Sequence, residues 1–147
     1  MRSHAIGWLA RRDLSRATLI GRIRALGATV EAAEQIARWC EERGFLCEGR
    51  LADNLSRRLG ARFGTRRIAR HLRDKGIDAA HAASALGDLQ ETEFARAWAV
   101  WTRRFGVLPT SSADSARQQR FLVTRGFSGD IVRRILRGEI PEESSSS

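Results

Sequence analysis

The chain has 147 residues, enough for one domain or a short repeat array, and its 42% hydrophobic content argues against wholesale disorder. A net charge of +9 and a pI near 11.4 favour a polyanionic partner: nucleic acid, an acidic protein surface or an anionic membrane face. No stretch approaches the ~20 apolar residues of a membrane span. The N-terminal apolar run, residues 5–10, is too short for a signal-peptide core. Cys40 and Cys47 form no disulfide framework, so reduced thiols and a cytoplasmic location are expected.

In chain order the elements read as short helices, with Ser, Thr or Asp before them and Gly after. Ile6 and Leu9 begin a first apolar face. Ser15 caps a helix carrying Leu19, Ile23 and Leu26, which Gly27 closes. Thr29 caps a third, with Val30, Ala33, Ile36, Ala37 and Cys40 on one face, ended by Gly44. The plan then repeats. Leu51, Leu55 and Leu59, extended by Phe63, make one stripe. Gly64-Thr65 is a stop and an N-cap before Ile68 and Leu72, up to Gly76. Asp78 caps a helix built on Ala82, Ala85, Leu86 and Leu89. The third unit opens with Phe94, Trp98, Trp101 and Phe105 at helical spacing, followed by a loop at residues 108–114. A helix with Phe121 and Leu122 ends at Gly126, and Ser128 caps a last one with Ile131, Ile135 and Leu136.

Gly27, Gly76 and Gly126 each end a basic, apolar-periodic run, and they lie 49 and 50 residues apart. Such a period marks tandem supersecondary units that cannot bury their apolar faces alone. The expected fold is therefore all-α: an elongated array of three tandem three-helix repeats, about nine helices in all. The repeats are expected at residues 1–46, 47–91 and 92–138, with a disordered tail at 139–147.

The densest cationic run is Arg57, Arg58, Arg62, Arg66, Arg67, Arg70, Arg73 and Lys75, opposed only by Asp74. Residues 66, 70 and 73 share the helix face opposite Ile68 and Leu72. Like charges stacked this way destabilise an isolated helix, and a polyanion offsets that repulsion. The bland alternative is a solvated face. Arg117, Arg120 and Arg125, with Arg22 and Arg24, occupy matching helices, so one side of the array is expected to carry a basic stripe. The Phe94/Trp98/Trp101/Phe105 stripe reads as core rather than base-stacking platform. No interleaving of aromatics with surface cations is evident in the sequence.

Catalytic constellations are missing. His4, His71 and His81 have no metal-ligand spacing, the cysteines are not in CxxC, and Gly60-Ala-Arg-Phe-Gly64-Thr lacks the Lys-Ser/Thr of a phosphate loop. Neither an enzyme nor a cofactor or metal is expected.

The ordered motifs resemble the RecX family of bacterial recombination regulators, over residues 6–137. Leu9-Ala-Arg-Arg-Asp-Leu-Ser15-Arg-Ala-Thr-Leu19 resembles the family's Arg-x-x-Ser-x-x-Glu-Leu opening, with Thr18 in place of Glu. Trp39-Cys-Glu-Glu-Arg-Gly-Phe-Leu46 is similar to the end of its first repeat. Gly64-Thr-Arg-Arg67-Ile68-Ala-Arg-His-Leu72-Arg-Asp-Lys75-Gly76-Ile77 resembles Gly-x-x-Arg-Ile-x-x-x-Leu-x-x-Lys-Gly-Ile, and residues 119–127 resemble the third-unit ending. Where the family prefers an acidic pair before Arg-Phe-Ala, only Glu48 stands.

The resemblance implies a monomeric regulator of DNA repair and the SOS response. It would bind RecA and the RecA–ssDNA filament, inhibit RecA's ATPase, coprotease and strand-exchange activities, and touch DNA weakly and without sequence preference. The eleven cations from Arg57 to Lys75 and from Arg117 to Arg125 named above are then the filament-binding residues. A helix-turn-helix DNA-binding protein is the alternative, and an RNA-binding helical repeat a third. Base readout by the basic helix requires side chains such as Asn or Gln at its first turn, where Arg66-Arg67 stand, so phosphate contact is the expectation.

Overall fold

The computed structural model of the chain describes residues 1–142. Eight helices and no strand occur among them: α1 (Arg2–Arg11), α2 (Arg16–Ala25), α3 (Val30–Glu42), α4 (Glu48–Gly60), α5 (Thr65–Asp74), α6 (Ala79–Arg104), α7 (Ser112–Thr124) and α8 (Gly129–Leu136). The all-helical expectation holds. The count falls from nine to eight because the last helix of the second unit and the first of the third are one continuous α6 of 26 residues. Gly87 lies inside it and does not take the left-handed backbone of the terminating glycines. A lone helical glycine costs only ~1 kcal/mol relative to Ala, too little to break a helix supported on both sides.

Capping follows the residue chemistry. Ser15, Thr29 and Ser128 accept from the N–H three residues on, and Asp78 accepts from His81 N at 2.9 Å. Ser111 does the same for α7. Thr65 departs from expectation: it is the first helical residue of α5, and Gly64 holds the cap position, its carbonyl accepting from Ile68 N. At the far ends, Gly76 (φ +80°) and Gly126 (φ +96°) take the left-handed region that side chains resist. Each starts a paired reverse turn: Ile77 N donates to Leu72 O and Phe127 N to Leu122 O, tucking buried Ile77 and Phe127 under the helix just ended.

The chain forms two compact units, Met1–Leu55 with Leu72–Ala85 and Ser56–His71 with Leu86–Ser147. The boundary thus falls inside α4, α5 and α6. In the first unit α1, α2 and α3 pack together around Leu9, Leu19, Ile23, Ala33, Ala37 and Cys40. Leu26 and Val30, expected on that face, are 43% and 41% exposed. They sit at helix ends, where the apolar stripe has already turned outward. In the second unit Ala97, Val100 and Trp101 of α6 pack with Leu122, Phe127, Val132 and Ile135. The indole N–H of Trp101 donates to fully buried Gln118 Oε1 at 2.7 Å.

Of the expected tail, Glu139 is held by Arg134 and Arg137, and Pro141 is buried. Residues 143–147 lie outside the described residues. Cys40 is a buried free thiol and Cys47 an exposed one.

Candidate polyanion interface

The formal charge is divided unequally. The first unit holds eleven Arg/Lys against nine Asp/Glu, net +2; the second holds fifteen Arg against eight Asp/Glu, net +7. An electrostatic site therefore belongs to the second unit first.

Its framework is the junction where the last turn of α7 meets the first turn of α5. Gly64 N donates to Arg125 O at 2.7 Å and Arg66 N to Gly126 O at 3.2 Å, so orphan carbonyls of one helix satisfy orphan amides of the other. A Cβ on Gly64 would overlap the backbone of Gly126 and Phe127, and one on Gly126 would lie 2.5 Å from Arg67 Cβ. Only glycines permit this approach, and it sets Arg66 and Arg67 beside Arg125.

Two buried carboxylates to which sequence reasoning assigns no site role hold helix starts. Glu93, 7% exposed, accepts from Thr65 N at 2.8 Å. In the first unit Glu48, 8% exposed and 45 residues earlier, accepts from Arg16 N at 2.7 Å and Asp78 N at 3.2 Å. A negative charge at a helix N-terminus meets both unpaired N–H groups and the positive dipole end. Arg96, also unanticipated, donates to the carbonyls of Gly60, Phe63 and Leu89 at 2.7–3.0 Å, tying the end of α4 to α6. Burial lowers its pKa, and the Glu93 charge opposes that shift.

Every cation of the predicted cluster (Arg57, Arg58, Arg62, Arg66, Arg67, Arg70, Arg73, Lys75) is exposed, as are Arg117 and Arg120; Arg125 is half-buried. Ile68 and Leu72 are fully buried on the other side of α5, as their spacing predicts. The structure brings some of these cations together around aromatic rings. Arg67, Arg62 and Arg125 lie 4.1, 5.2 and 5.6 Å from the Phe63 centroid. Arg125 and Arg104 lie 4.9 and 5.6 Å from Phe121, and Arg117 and Arg104 lie 5.3 and 5.5 Å from Phe105. Phe105 meets Phe121 edge-on at 5.4 Å. Such interleaving is invisible in the linear chain because the rings come from three places: the α4–α5 loop, the end of α6 and α7. Each contact contributes ~0.5–1 kcal/mol at an exposed site, enough to offset mutual repulsion of the guanidiniums.

Arg117, besides its contact with Phe105, is paired with Asp114 at 2.8 Å. Arg73 and Lys75 belong to the first unit, as do Arg22, stacked on Trp8, and Arg24.

Among the described residues, Glu48, Asp78 and His81 come nearest to a metal-ligand group. Both Glu48 oxygens already accept backbone N–H groups, and His81 Nδ1 lies 2.9 Å from Asp78 Oδ1. The trio is a helix-junction network. The Asp78 carboxyl is held below its ordinary pKa chiefly by the backbone N–H of His81.

Residues 91–136 match the model for "RecX, third three-helix domain". The regulatory protein RecX of Leptothrix cholodnii is 39% identical over 137 residues, covering 93% of this chain and 87% of that protein. The chain belongs to the RecX family. A second relative, the regulatory protein RecX of Ralstonia nicotianae, is 36% identical over 94% of this chain and 87% of its own length. RecX from Lactobacillus salivarius superposes with a TM-score of 0.81 over 92% of both chains at 19% identity, so it shares the fold. The relatives are regulatory proteins by name. No helix among the described residues is long and apolar enough to cross a membrane.

Proposed function

We propose that this chain restrains RecA by binding the RecA–ssDNA filament through the cationic face of its second unit, inhibiting ATP hydrolysis, coprotease activity and strand exchange without chemistry of its own. It acts as a cytoplasmic monomer in the regulation of DNA repair. Family membership supports the regulatory role, and the observation that carries the face is the ring-mounted cluster Arg62, Arg67 and Arg125 beside exposed Arg58, Arg66 and Arg70. Guanidiniums stacked on rings keep their charge while losing little further freedom on binding.

The docked start of α5 counts against a helix-turn-helix reading. A recognition helix presents its N-terminal turn to base edges. Here the backbone of that turn is docked on α7 through Gly64 and Gly126, and the side chains it leaves exposed are Arg66 and Arg67. Phosphate contact is the remaining mode for the α5 cations, and binding to bare DNA is weak, sequence-independent and steeply salt-sensitive.

The test is a salt-matched comparison of affinity for naked and RecA-coated single strands. Tighter binding to the coated strand is expected. Equal or weaker binding to it would overturn the proposal.

A further inference from the structure

Beside the ring-mounted arginines the second unit contains an open cleft of about 170 Å³ whose lining includes Arg62, Arg103, Arg104 and Arg125 together with Val100 and Phe121. We propose that it seats a phosphodiester group of single-stranded nucleic acid, which adds Arg103 and Arg104 of the last turn of α6 to the binding residues. This rests on the filament-binding reading and specifies where the strand itself is held.

Three observations carry it. The lining holds four guanidiniums and no carboxylate, an uncompensated concentration of charge that an anion relieves. Two of the four are already fixed: Arg125 donates through Nη1 to Arg62 O at 3.2 Å and lies against Phe63 and Phe121, while Arg104 lies against Phe105 and Phe121. A planar fork fixed in this way binds phosphate with little ordering cost. The cleft's volume of about 170 Å³ also admits one phosphate group rather than a larger ligand.

An acidic side chain from a protein offers one charge to four guanidiniums. A nucleic-acid strand instead brings a charge with each nucleotide. The neighbouring phosphates then have exposed Arg66 and Arg67, joined to Arg125 through the Gly64–Gly126 junction.

The experiment uses the full chain and the double variant Arg103→Gln/Arg104→Gln, with labelled oligothymidylate and polyglutamate as probes over a range of salt. The variant should keep its melting temperature and bind oligothymidylate several-fold more weakly at low salt. Its salt slope should be shallower by about 0.7 for each phosphate that the variant no longer neutralises. Polyglutamate binding should change less. An unchanged slope and affinity for oligothymidylate overturns the proposal, as does a larger loss toward polyglutamate, which assigns the cleft to an acidic protein.

Should the Gln pair melt early, Arg104→Lys replaces it. It retains the charge and loses the fork, so oligothymidylate affinity should fall at unchanged slope; unaltered affinity overturns the seat. RecA inhibition separates the two levels. A failed cleft test with inhibition still lost on reversing the α5 charges sinks the cleft alone, and failure of both sinks the reading beneath it.

Discussion

The two units differ in how much arginine charge is left without a carboxylate to balance it. In the first, arginines meet carboxylates: Arg16 pairs with Glu41 at 2.7 Å and Arg50 with Asp13 at 2.8 Å, where the Asp13 hydrogen bond raises the Arg50 pKa. Others lie on Trp8 and Trp39. The second also has carboxylate pairs, Arg117 with Asp114 and both Arg134 and Arg137 with Glu139. Its Arg62, Arg67, Arg104 and Arg125, however, meet phenylalanine rings or backbone carbonyls, and the unit keeps a net charge of +7 against +2. Pairing with carboxylates commits a cation to stability. Mounting it on a ring holds its position and leaves its charge for a partner. One small chain thus holds both a nearly neutral unit and a charged one.

The comparison can be broken first at its glycines. Gly126→Ala places a Cβ 2.5 Å from Arg67 Cβ and 2.7 Å from Arg67 N, at positive φ, so thermal melting should show a loss of about 3 kcal/mol or more. Its counterpart Gly27→Ala, also at positive φ but with open space around the new Cβ, should lose only about 1 kcal/mol. Equal losses would mean that the α5–α7 junction is not the close approach described.

Leu72→Ala, at a fully buried position, should cost roughly 2–5 kcal/mol in denaturant unfolding, whereas an exposed cation on the same helix, Arg70→Ala, should change stability by less than about 0.5 kcal/mol.

A smaller effect appears in acid. The folded-state pKa of Asp78 is depressed, so its contribution is present above the unfolded pKa, near ~3.9, and is lost as pH falls through the lower folded value. Asp78→Asn retains a cap and removes that titration, so its melting temperature should fall less steeply than the parent's below about pH 4. A parallel decline in both proteins would contradict the assignment.

A small effect also belongs to the surface pairs. Arg16→Ala removes a partly exposed pair with Glu41 and should cost no more than about 1 kcal/mol, diminishing in salt.

What is legible in the linear chain is what depends on local spacing. Ser15, Thr29, Asp78 and Ser128 cap because their side chains reach an N–H three residues on. Ile68 and Leu72 share a face because a helix turns every 3.6 residues. Contacts between distant segments leave no such trace. The repeat boundary expected between residues 91 and 92 lies inside α6, where Glu93 accepts from Thr65 N at the start of α5. Glu48, standing where the family prefers an acidic pair, suffices alone, since its one carboxylate serves Arg16 and Asp78 together. At the candidate site the cations are visible as a charge run. Phe63, Phe105 and Phe121, 42 and 16 residues apart in turn, are joined only by the fold.

The most direct test of the charged second unit reverses three exposed arginines in each unit and measures inhibition of RecA's DNA-dependent ATPase. Arg58, Arg66 and Arg70 represent the second unit, and Arg11, Arg24 and Arg38 the first. With both variants folded, changing the second-unit trio to Glu should abolish inhibition, and changing the first-unit trio should leave most of it. Full inhibition by the second-unit variant, or equal losses from both, would contradict the account.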